Sequence, residues 1–285
     1  MGSFSPFDCD NYLSKRENNK SENTSGAEDR DRLMVISSNA LFHFTRSMED
    51  LVSILEDDFT ARFCIENYAN LFDASDDGFT MAFPMLCFCD LPISQLRGHM
   101  DFYGSYGLGM KKEWGIKNGL NPVMYMHPGS DTAADIGRLL KYLDSRAVQN
   151  DTAVFRKCLR SIIRQIKLYE GLIDKDGQQV SKRFYDEREW RWVPYVTEDE
   201  NSDLLSLTKN KYNIPKARQE AYEKASAASR LAFGPDDVDY IIVAKESEIT
   251  SVIEAIEKIE QRYDGKTVKL LTTRIISAEQ IRSDF

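Results

Sequence analysis

Hydrophobic and polar positions alternate along several short stretches of the chain, a pattern typical of half-buried β-strands. In residues 39–45, Leu41 and His43 fall on one side of a strand, while Phe42 and Phe44 fall on the other. Alternating or continuously apolar runs predict seven further strands, over residues 59–65, 85–91, 106–110, 122–126, 185–193, 238–244 and 267–275.

Apolar residues at three- and four-residue spacing predict helices between these strands. The first helix begins after Ser47, an N-cap residue with Asp50 at the capping-box position. Further helices are predicted after Pro92, from Asp131 to about 143, from Asp151 to about 166, within 197–228, and over 249–259 with an end before Gly265. Short strands mixed with helices, without sustained βαβ alternation, predict an α+β fold with a mixed, mostly antiparallel sheet and flanking helices.

The N-terminal segment differs in composition from the rest. Between Ser14 and Arg32 the only apolar residue is Ala27, so ordering this stretch would cost conformational entropy with almost no burial in return. We therefore expect a flexible polar tail over residues 1–34. The remaining residues, 35–285, are expected to form a single domain.

Net charge narrows the range of partners. The chain has 37 Lys and Arg against 46 Asp and Glu, a net charge of −9, so its overall field attracts neither nucleic acid nor anionic membranes. Three lysines near Trp114, at 111, 112 and 117, leave a small basic surface as a weak nucleic-acid alternative. No apolar stretch reaches the roughly 18 residues of a membrane span, and no secretory signal is visible, so we expect a cytoplasmic protein. Five cysteines, an odd number, favour reduced thiols.

Glu187 and Glu189 are the most informative charged pair. On a strand, their side chains would share one face about 7 Å apart. Like charges held that close resist simultaneous ionisation. Either a cation such as Arg191 neutralises them in a salt-bridged surface, or their pKa values separate for catalysis. The residues alone leave both alternatives open.

Other candidates each have a structural and a functional interpretation. His43 is either a packed strand histidine or a hydrogen-bond donor to a ribose or phosphate. Tyr103 and Tyr106, among nearby glycines, either cap the core or hold a flat ring. Cys87 and Cys89 with His99 lack the second cysteine pair of a structural zinc site, so no metal site is predicted.

Several motifs in order resemble the AbiGi family of abortive phage resistance proteins, over about residues 39–245. They are LFHFT, MLCFCDLP, GHMDFYGSYGLGMKKEW, NPVMY, EREWR and LAFGPDDVDYIIVA. The resemblance implies a phage-defence role as the antitoxin of a two-gene system. It also implies a cognate toxin that is similar to a nucleotidyltransferase.

The same order of motifs is similar to a divergent ADP-ribosyltransferase-like domain, which implies that fold and NAD as a cofactor. This chain departs from that group in its central strand, which reads Cys87-Phe88-Cys89-Asp90 instead of Ser-Thr-Ser, and in the spacing of its tyrosines, which differs from that of the His-Tyr-Glu group. The resemblance implies a catalytic set of Glu189, Glu187 and Tyr106, and a cofactor-binding set of His43, Thr45, Tyr103, Phe88 and Arg191.

Two functions therefore remain open. One is an NAD-dependent ADP-ribosyltransferase, in which His43, Tyr106 and Glu189 line one pocket. The other is a non-catalytic antitoxin that binds and neutralises its partner. Fold likeness alone does not decide between them.

Overall fold

A nine-stranded sheet organises the described part of the chain. The computed structural model describes residues 37–72, 79–145, 153–175, 177–194, 206–225, 229–258 and 264–285. These residues belong to one compact unit, Ile36–Phe285. The tail predicted over residues 1–34 lies outside the described residues.

The strands are short, and helices separate most of them. The strands are β1 (Ala40–Thr45), β2 (Phe59–Thr60), β3 (Arg62–Asn67), β4 (Thr80–Cys89), β5 (Tyr106–Lys111), β6 (Asn121–Pro122), β7 (Met124–Met126), β8 (Ile166–Leu168), β9 (Glu170–Lys175), β10 (Gln178–Arg183), β11 (Glu189–Trp192), β12 (Leu207–Thr208), β13 (Arg230–Leu231), β14 (Val238–Val243) and β15 (Ile275–Ser277). The helices are α1 (Met48–Asp57), α2 (Leu96–Tyr103), α3 (Lys112–Lys117), α4 (Asp131–Ser145), α5 (Ala153–Ile163), α6 (Lys209–Tyr212), α7 (Pro215–Ala225), α8 (Ile249–Lys258), α9 (Gly265–Thr272) and α10 (Ala278–Asp284).

The main sheet is mixed and mostly antiparallel, as predicted. Its strand order is β15-β14-β5-β1-β4-β11-β6, and β3 and β12 also pair with β4. The β14–β15 ladder is parallel, and the other ladders of this sheet are antiparallel. Three two-stranded sheets, β9–β10, β2–β13 and β7–β8, accompany it. The α+β class is therefore confirmed.

The two faces of the main sheet carry different buried clusters. Leu41 and Phe88 point to the first face, where residues of α1, α8 and α9 pack with them. Phe42 and Cys89 point to the second face, beneath α2 and α10. Because successive side chains of a strand alternate between faces, the register decides which residues can share a site.

Local capping explains the clearest agreement between sequence and structure. The Ser47 hydroxyl accepts a hydrogen bond from the backbone N–H of Asp50, and α1 begins at Met48. Leu51 and Leu55, four residues apart, are the buried residues of this helix. The predicted strand-to-helix unit is confirmed.

The strand predicted over 267–275 is wrong. The Asp264 carboxylate accepts a hydrogen bond from the backbone N–H of Thr267 at 2.8 Å, which starts helix α9 at Gly265. Val268 and Leu271, three residues apart, are its buried residues, so the apolar run follows a helical period. Strand β15 begins only at Ile275, the last residue of the predicted range.

Two other boundaries also differ from prediction. The helix expected to reach residue 166 ends at Ile163, and Ile166 begins β8; its predicted cap, Asp151, lies outside the described residues. The strand expected over 185–193 is interrupted, because Phe184–Glu187 forms a 3-10 turn and Arg188 has a left-handed backbone with φ of 48°. Only Glu189–Trp192 is strand.

No helix in the described ranges is long and apolar enough to cross a membrane.

Candidate functional site

The turn before β11 brings two acidic side chains inward together. Glu189 and Arg191 alternate with Trp190 and therefore share one face of β11. Glu187 ends the 3-10 turn that precedes the left-handed residue Arg188, and its side chain is also buried. Glu187 and Glu189 are 5% and 4% exposed, and Arg191 is completely inaccessible. The two glutamates approach as predicted, through a turn that the alternation pattern did not indicate.

Lys167 of β8 bridges the two glutamates. Its Nζ lies 2.9 Å from Oε2 of Glu187 and 2.5 Å from Oε2 of Glu189. Lys182 of β10 lies 2.6 Å from the other oxygen of Glu187. The β7–β8 and β9–β10 sheets are thus tied to the main sheet through a shared pair of carboxylates.

Arg191 holds the other side of Glu189. Its Nε donates to Oε1 of Glu189 at 2.5 Å, and its Nη2 pairs with the carboxylate of Glu66 on β3. Its Nη1 donates to the backbone carbonyls of Arg164 and Ile166 at 3.1 and 3.3 Å. A fully buried guanidinium is thereby satisfied on every nitrogen.

These six side chains form a charge network that balances in sign. We use that name for three acids, Glu66, Glu187 and Glu189, and three bases, Lys167, Lys182 and Arg191. A buried charge is tolerated only when it is paired and hydrogen-bonded. The balance of three against three meets that condition.

Pairing shifts the pKa values of Glu189 and Lys167 strongly, in opposite directions. Burial alone raises the pKa of Glu189, but Lys167 and Arg191 outweigh it and hold that pKa well below its ordinary value. Burial alone lowers the pKa of Lys167, and the carboxylates of Glu189 and Glu187 outweigh it and raise that pKa well above its ordinary value. At neutral pH Glu189 is therefore ionised and Lys167 is protonated.

Two tyrosines complete the network. The Tyr103 hydroxyl donates to Oε1 of Glu187, and Lys182 donates to that hydroxyl at 3.2 Å. The Tyr125 hydroxyl accepts the backbone N–H of Glu189 at 2.7 Å. The His99 ring lies 4.4 Å from the Tyr103 ring, and burial lowers the pKa of His99 to about 4.

Two predicted cofactor-binding residues pack in the core on the first face. The His43 ring lies 5.3 Å from the Phe59 ring and 5.4 Å from the Phe88 ring. Its Nδ1 is 2.8 Å from the carbonyl oxygen of Cys87, and burial lowers its pKa. Phe88 is itself a buried core residue.

Thr45 and Tyr106 face each other across β1 and β5 on the same side as His43. The Tyr106 hydroxyl donates to Glu248 at 2.9 Å, and burial, helped by this hydrogen bond, raises the pKa of Tyr106 to about 12. The Thr45 hydroxyl donates to the carbonyl of Ser47 at 3.2 Å.

The predicted set is therefore divided between the two faces of the sheet. Glu189 pairs with Cys89, and Cys89 pairs with Phe42, so all three point to the second face. His43, next to Phe42, points to the first face with Tyr106. The structure brings Glu187, Glu189, Arg191 and Tyr103 together, and it separates them from His43, Thr45, Phe88 and Tyr106. The common pocket expected for His43, Tyr106 and Glu189 is not present.

Comparison with known proteins identifies the family. A family model described as "Putative abortive phage resistance protein AbiGi, antitoxin" matches residues 57–244. The chain belongs to the AbiGi family. A curated relative, the abortive phage resistance protein AbiGi of Lactococcus lactis subsp. cremoris, is 28% identical over 225 residues, which is 71% of this chain and 88% of that protein. No solved structure matches the chain.

The AbiGi family match includes the entire charge network, from Glu66 to Arg191, while His43 and Thr45 precede its first residue. The chain is thus an antitoxin component of abortive phage resistance by family. The ADP-ribosyltransferase-like fold and the use of NAD stay predictions.

Sequence reasoning missed half of the network in this AbiGi-family chain. Glu66, Lys167 and Lys182 stand on strands of their own, and Tyr125 stands on β7. The sequence signal that could have revealed such a residue is a lysine at an inward-facing position of a short strand, as Lys167 is between Ile166 and Leu168. The glutamates that pair with this lysine could not be inferred, because the register between two distant strands is not determined by the sequence of either strand alone.

The chemistry available to the network is limited by its pairing. Each carboxylate oxygen of Glu187 and Glu189 already accepts from at least one cation or hydroxyl. Within the described ranges, no group of three or more His, Cys, Asp or Glu side chains is placed to hold a metal ion. The network braces β3, β8, β10 and β11 against one another.

Proposed function

We propose that this chain neutralises a toxin protein by binding it, without a chemical step of its own. The family description supplies the antitoxin role, and an antitoxin requires a cognate toxin. The resemblance noted from the sequence points to a nucleotidyltransferase-like toxin as that partner. The folded domain itself, with its braced sheet, then carries the function, because it binds the toxin.

One observation supports binding over catalysis most directly. Both oxygens of Glu189 are paired with buried cations, on the face of the sheet opposite His43 and Tyr106. A carboxylate that stabilises an oxocarbenium-like transition state must be aimed at the substrate. Glu189 is instead aimed at Lys167 and Arg191.

The test is growth rescue by co-expression with the product of the neighbouring gene. We expect the wild-type chain to restore growth and to co-purify with that product. Tyr106→Phe removes the predicted catalytic hydroxyl and keeps the ring, and we expect rescue to be unchanged. Loss of rescue in a folded Tyr106→Phe protein that still binds would contradict the proposal.

A second assay measures the enzymatic alternative directly. The purified chain, alone and with its partner, is incubated with labelled NAD, and released nicotinamide and labelled acceptor are measured. We expect neither above background. Turnover that is lost in Glu189→Gln but kept in Glu170→Gln, an exposed glutamate of β9, would establish the enzyme instead. Circular dichroism of each variant separates lost chemistry from lost folding.

A further inference from the structure

The hairpin formed by β9 and β10 takes little part in the buried core. Among the described residues, its two strands pair only with each other, and neither joins the main sheet. Its apolar residues, Leu172, Ile173 and Val180, neither belong to the buried clusters nor pack against them. A two-stranded hairpin without a buried apolar face is at most marginally stable. Other contacts therefore hold this hairpin in place.

Lys182 lies on the inward side of the hairpin. Val180 and Lys182 are partly buried, and the other four residues of β10 are exposed. Gly171 of β9 lies opposite Lys182, and a Cβ added to Gly171 would lie 3.0 Å from the ring of Phe184. At this point the hairpin presents a lysine beside a glycine, where a core strand would present an apolar residue.

The Lys182 ammonium group is enclosed by α2 and by the turn before β11. Its Nζ lies 2.6 Å from Oε1 of Glu187 and 3.2 Å from the hydroxyl oxygen of Tyr103. It also lies 4.0 Å from the ring centroid of Phe102 and 4.5 Å from that of Tyr103. A carboxylate and two aromatic rings together suit an ammonium group. We call Phe102, Tyr103 and Glu187 the ammonium cage; it lies outside the hairpin, and Lys182 reaches it from β10.

Backbone hydrogen bonds fix the base of the hairpin. The N–H of Tyr169, just before β9, donates to the carbonyl of Met126 at 2.9 Å. The N–H of Tyr185, two residues after β10, donates to the carbonyl of Tyr169 at 3.2 Å. Neither bond involves β9 or β10 themselves. The base can therefore stay in place whether or not Lys182 occupies the ammonium cage.

We propose that the hairpin is a strap that opens independently of the main sheet, and that Lys182 is its latch. In the closed state Lys182 covers Oε1 of Glu187 and the hydroxyl of Tyr103. When the strap opens, both groups face solvent, while Lys167 still holds the other oxygen of Glu187. The strap thus controls access to the Glu187 side of the charge network. It is a property of the chain alone and does not depend on the proposed antitoxin function.

Native-state hydrogen exchange of the full chain tests whether the strap opens by itself. Segments that open locally do so with free energies below that of global unfolding. We expect the hydrogen-bonded amides of β9 and β10 to exchange together, at least about tenfold faster than those of β1, β4 and β5. Exchange of the hairpin at the same rate as the main sheet would overturn the proposal.

A variant pair tests whether Lys182 is the latch. Lys182→Met removes the ammonium group and keeps most of the side chain's length. Because a hydrogen bond to a charged group is lost, it should speed exchange of the hairpin by about tenfold or more and leave the main sheet unchanged. The matched control, Arg183→Met, removes the neighbouring exposed cation and its 3.9 Å ion pair with Asp186, and should leave the hairpin at the wild-type rate. Equal effects of the two variants, or an equal rise in the main sheet, would rule out a latch.

A third variant alters the ammonium cage without changing the hairpin. Tyr103→Leu on α2 removes a hydroxyl and a ring that contact Lys182. It should speed exchange in β9 and β10, although both strands keep their sequence, and it should add little to the effect of Lys182→Met in the double variant. Unchanged hairpin exchange in a folded Tyr103→Leu protein, or fully additive effects, would contradict the latch. Circular dichroism establishes that each variant is folded.

Discussion

Glu189 and His43 lie on opposite faces of one β-sheet. Cys89 of β4 pairs with Glu189 on one side and with Phe42 on the other, so these three side chains point the same way. His43 follows Phe42 in β1 and points to the other face. No rearrangement of side chains could bring the two residues to one ligand, because the sheet itself stands between them.

Arg191 should be the residue whose loss most damages the charge network. Arg191→Leu removes a fully buried cation and leaves Glu189 and Glu66 without their common partner. We expect the free energy of unfolding to fall by about 3–5 kcal/mol, the usual cost of breaking a buried ion pair. Urea denaturation measures it.

The matched control is Arg138→Leu on α4, which breaks the exposed ion pair with Asp135. That change should alter the free energy of unfolding by no more than about 1 kcal/mol. Equal effects of the two substitutions would show that the network is not a structural brace.

Acid should remove the stability that Glu189 contributes. Burial opposes ionisation of Glu189, yet Lys167 and Arg191 prevail and hold its pKa below the ordinary value of 4.5. The Glu189 carboxylate is therefore protonated at a higher pH in the unfolded chain than in the folded chain. The stability that ionised Glu189 contributes is fully present above about pH 5, and it is lost as the pH falls through and below the ordinary pKa of 4.5.

We therefore expect the stability gap between the wild type and Glu189→Gln to be largest near neutral pH and to narrow in acid. Denaturation curves for both proteins between about pH 7 and about pH 3 measure the gap. A gap that stays constant over this range would contradict a lowered pKa in the folded state.

The Tyr125 hydroxyl should position the backbone of Glu189. It accepts the N–H of Glu189 at 2.7 Å, so Tyr125→Phe leaves that N–H without its acceptor. The expected cost is about 1–3 kcal/mol in free energy of unfolding. Tyr185→Phe is the control, since its exposed ring packs 5.3 Å from that of Tyr125; it should change stability by less than about 0.5 kcal/mol.

Gly104, between α2 and β5, should tolerate no side chain. Its φ is 113°, and a Cβ there would overlap the carbonyl oxygen of Thr45. We expect Gly104→Ala to lower the free energy of unfolding by at least about 3 kcal/mol. Gly119→Ala also has a positive φ, 79°, but meets no atom within 4 Å. It should cost only about 1–2 kcal/mol, and thermal denaturation compares the two variants.

Local signals predicted much of the fold correctly. The Ser47 cap, the alternation in β1 and the apolar spacing of α1 depend on residues within a few positions of each other, and each prediction was confirmed. The prediction for 267–275 failed because apolar residues in a short run suit either period. The Asp264 cap, outside the run, decided for a helix.

The sequence by itself determined that Glu187 and Glu189 lie two residues apart with Arg191 close by, and it left open whether cations neutralise the pair. Only the tertiary structure decided that Lys167 and Lys182 supply those cations and that His43 lies across the sheet. Spacing along one strand is a local property, whereas strand pairing depends on which distant segments bury their apolar faces together.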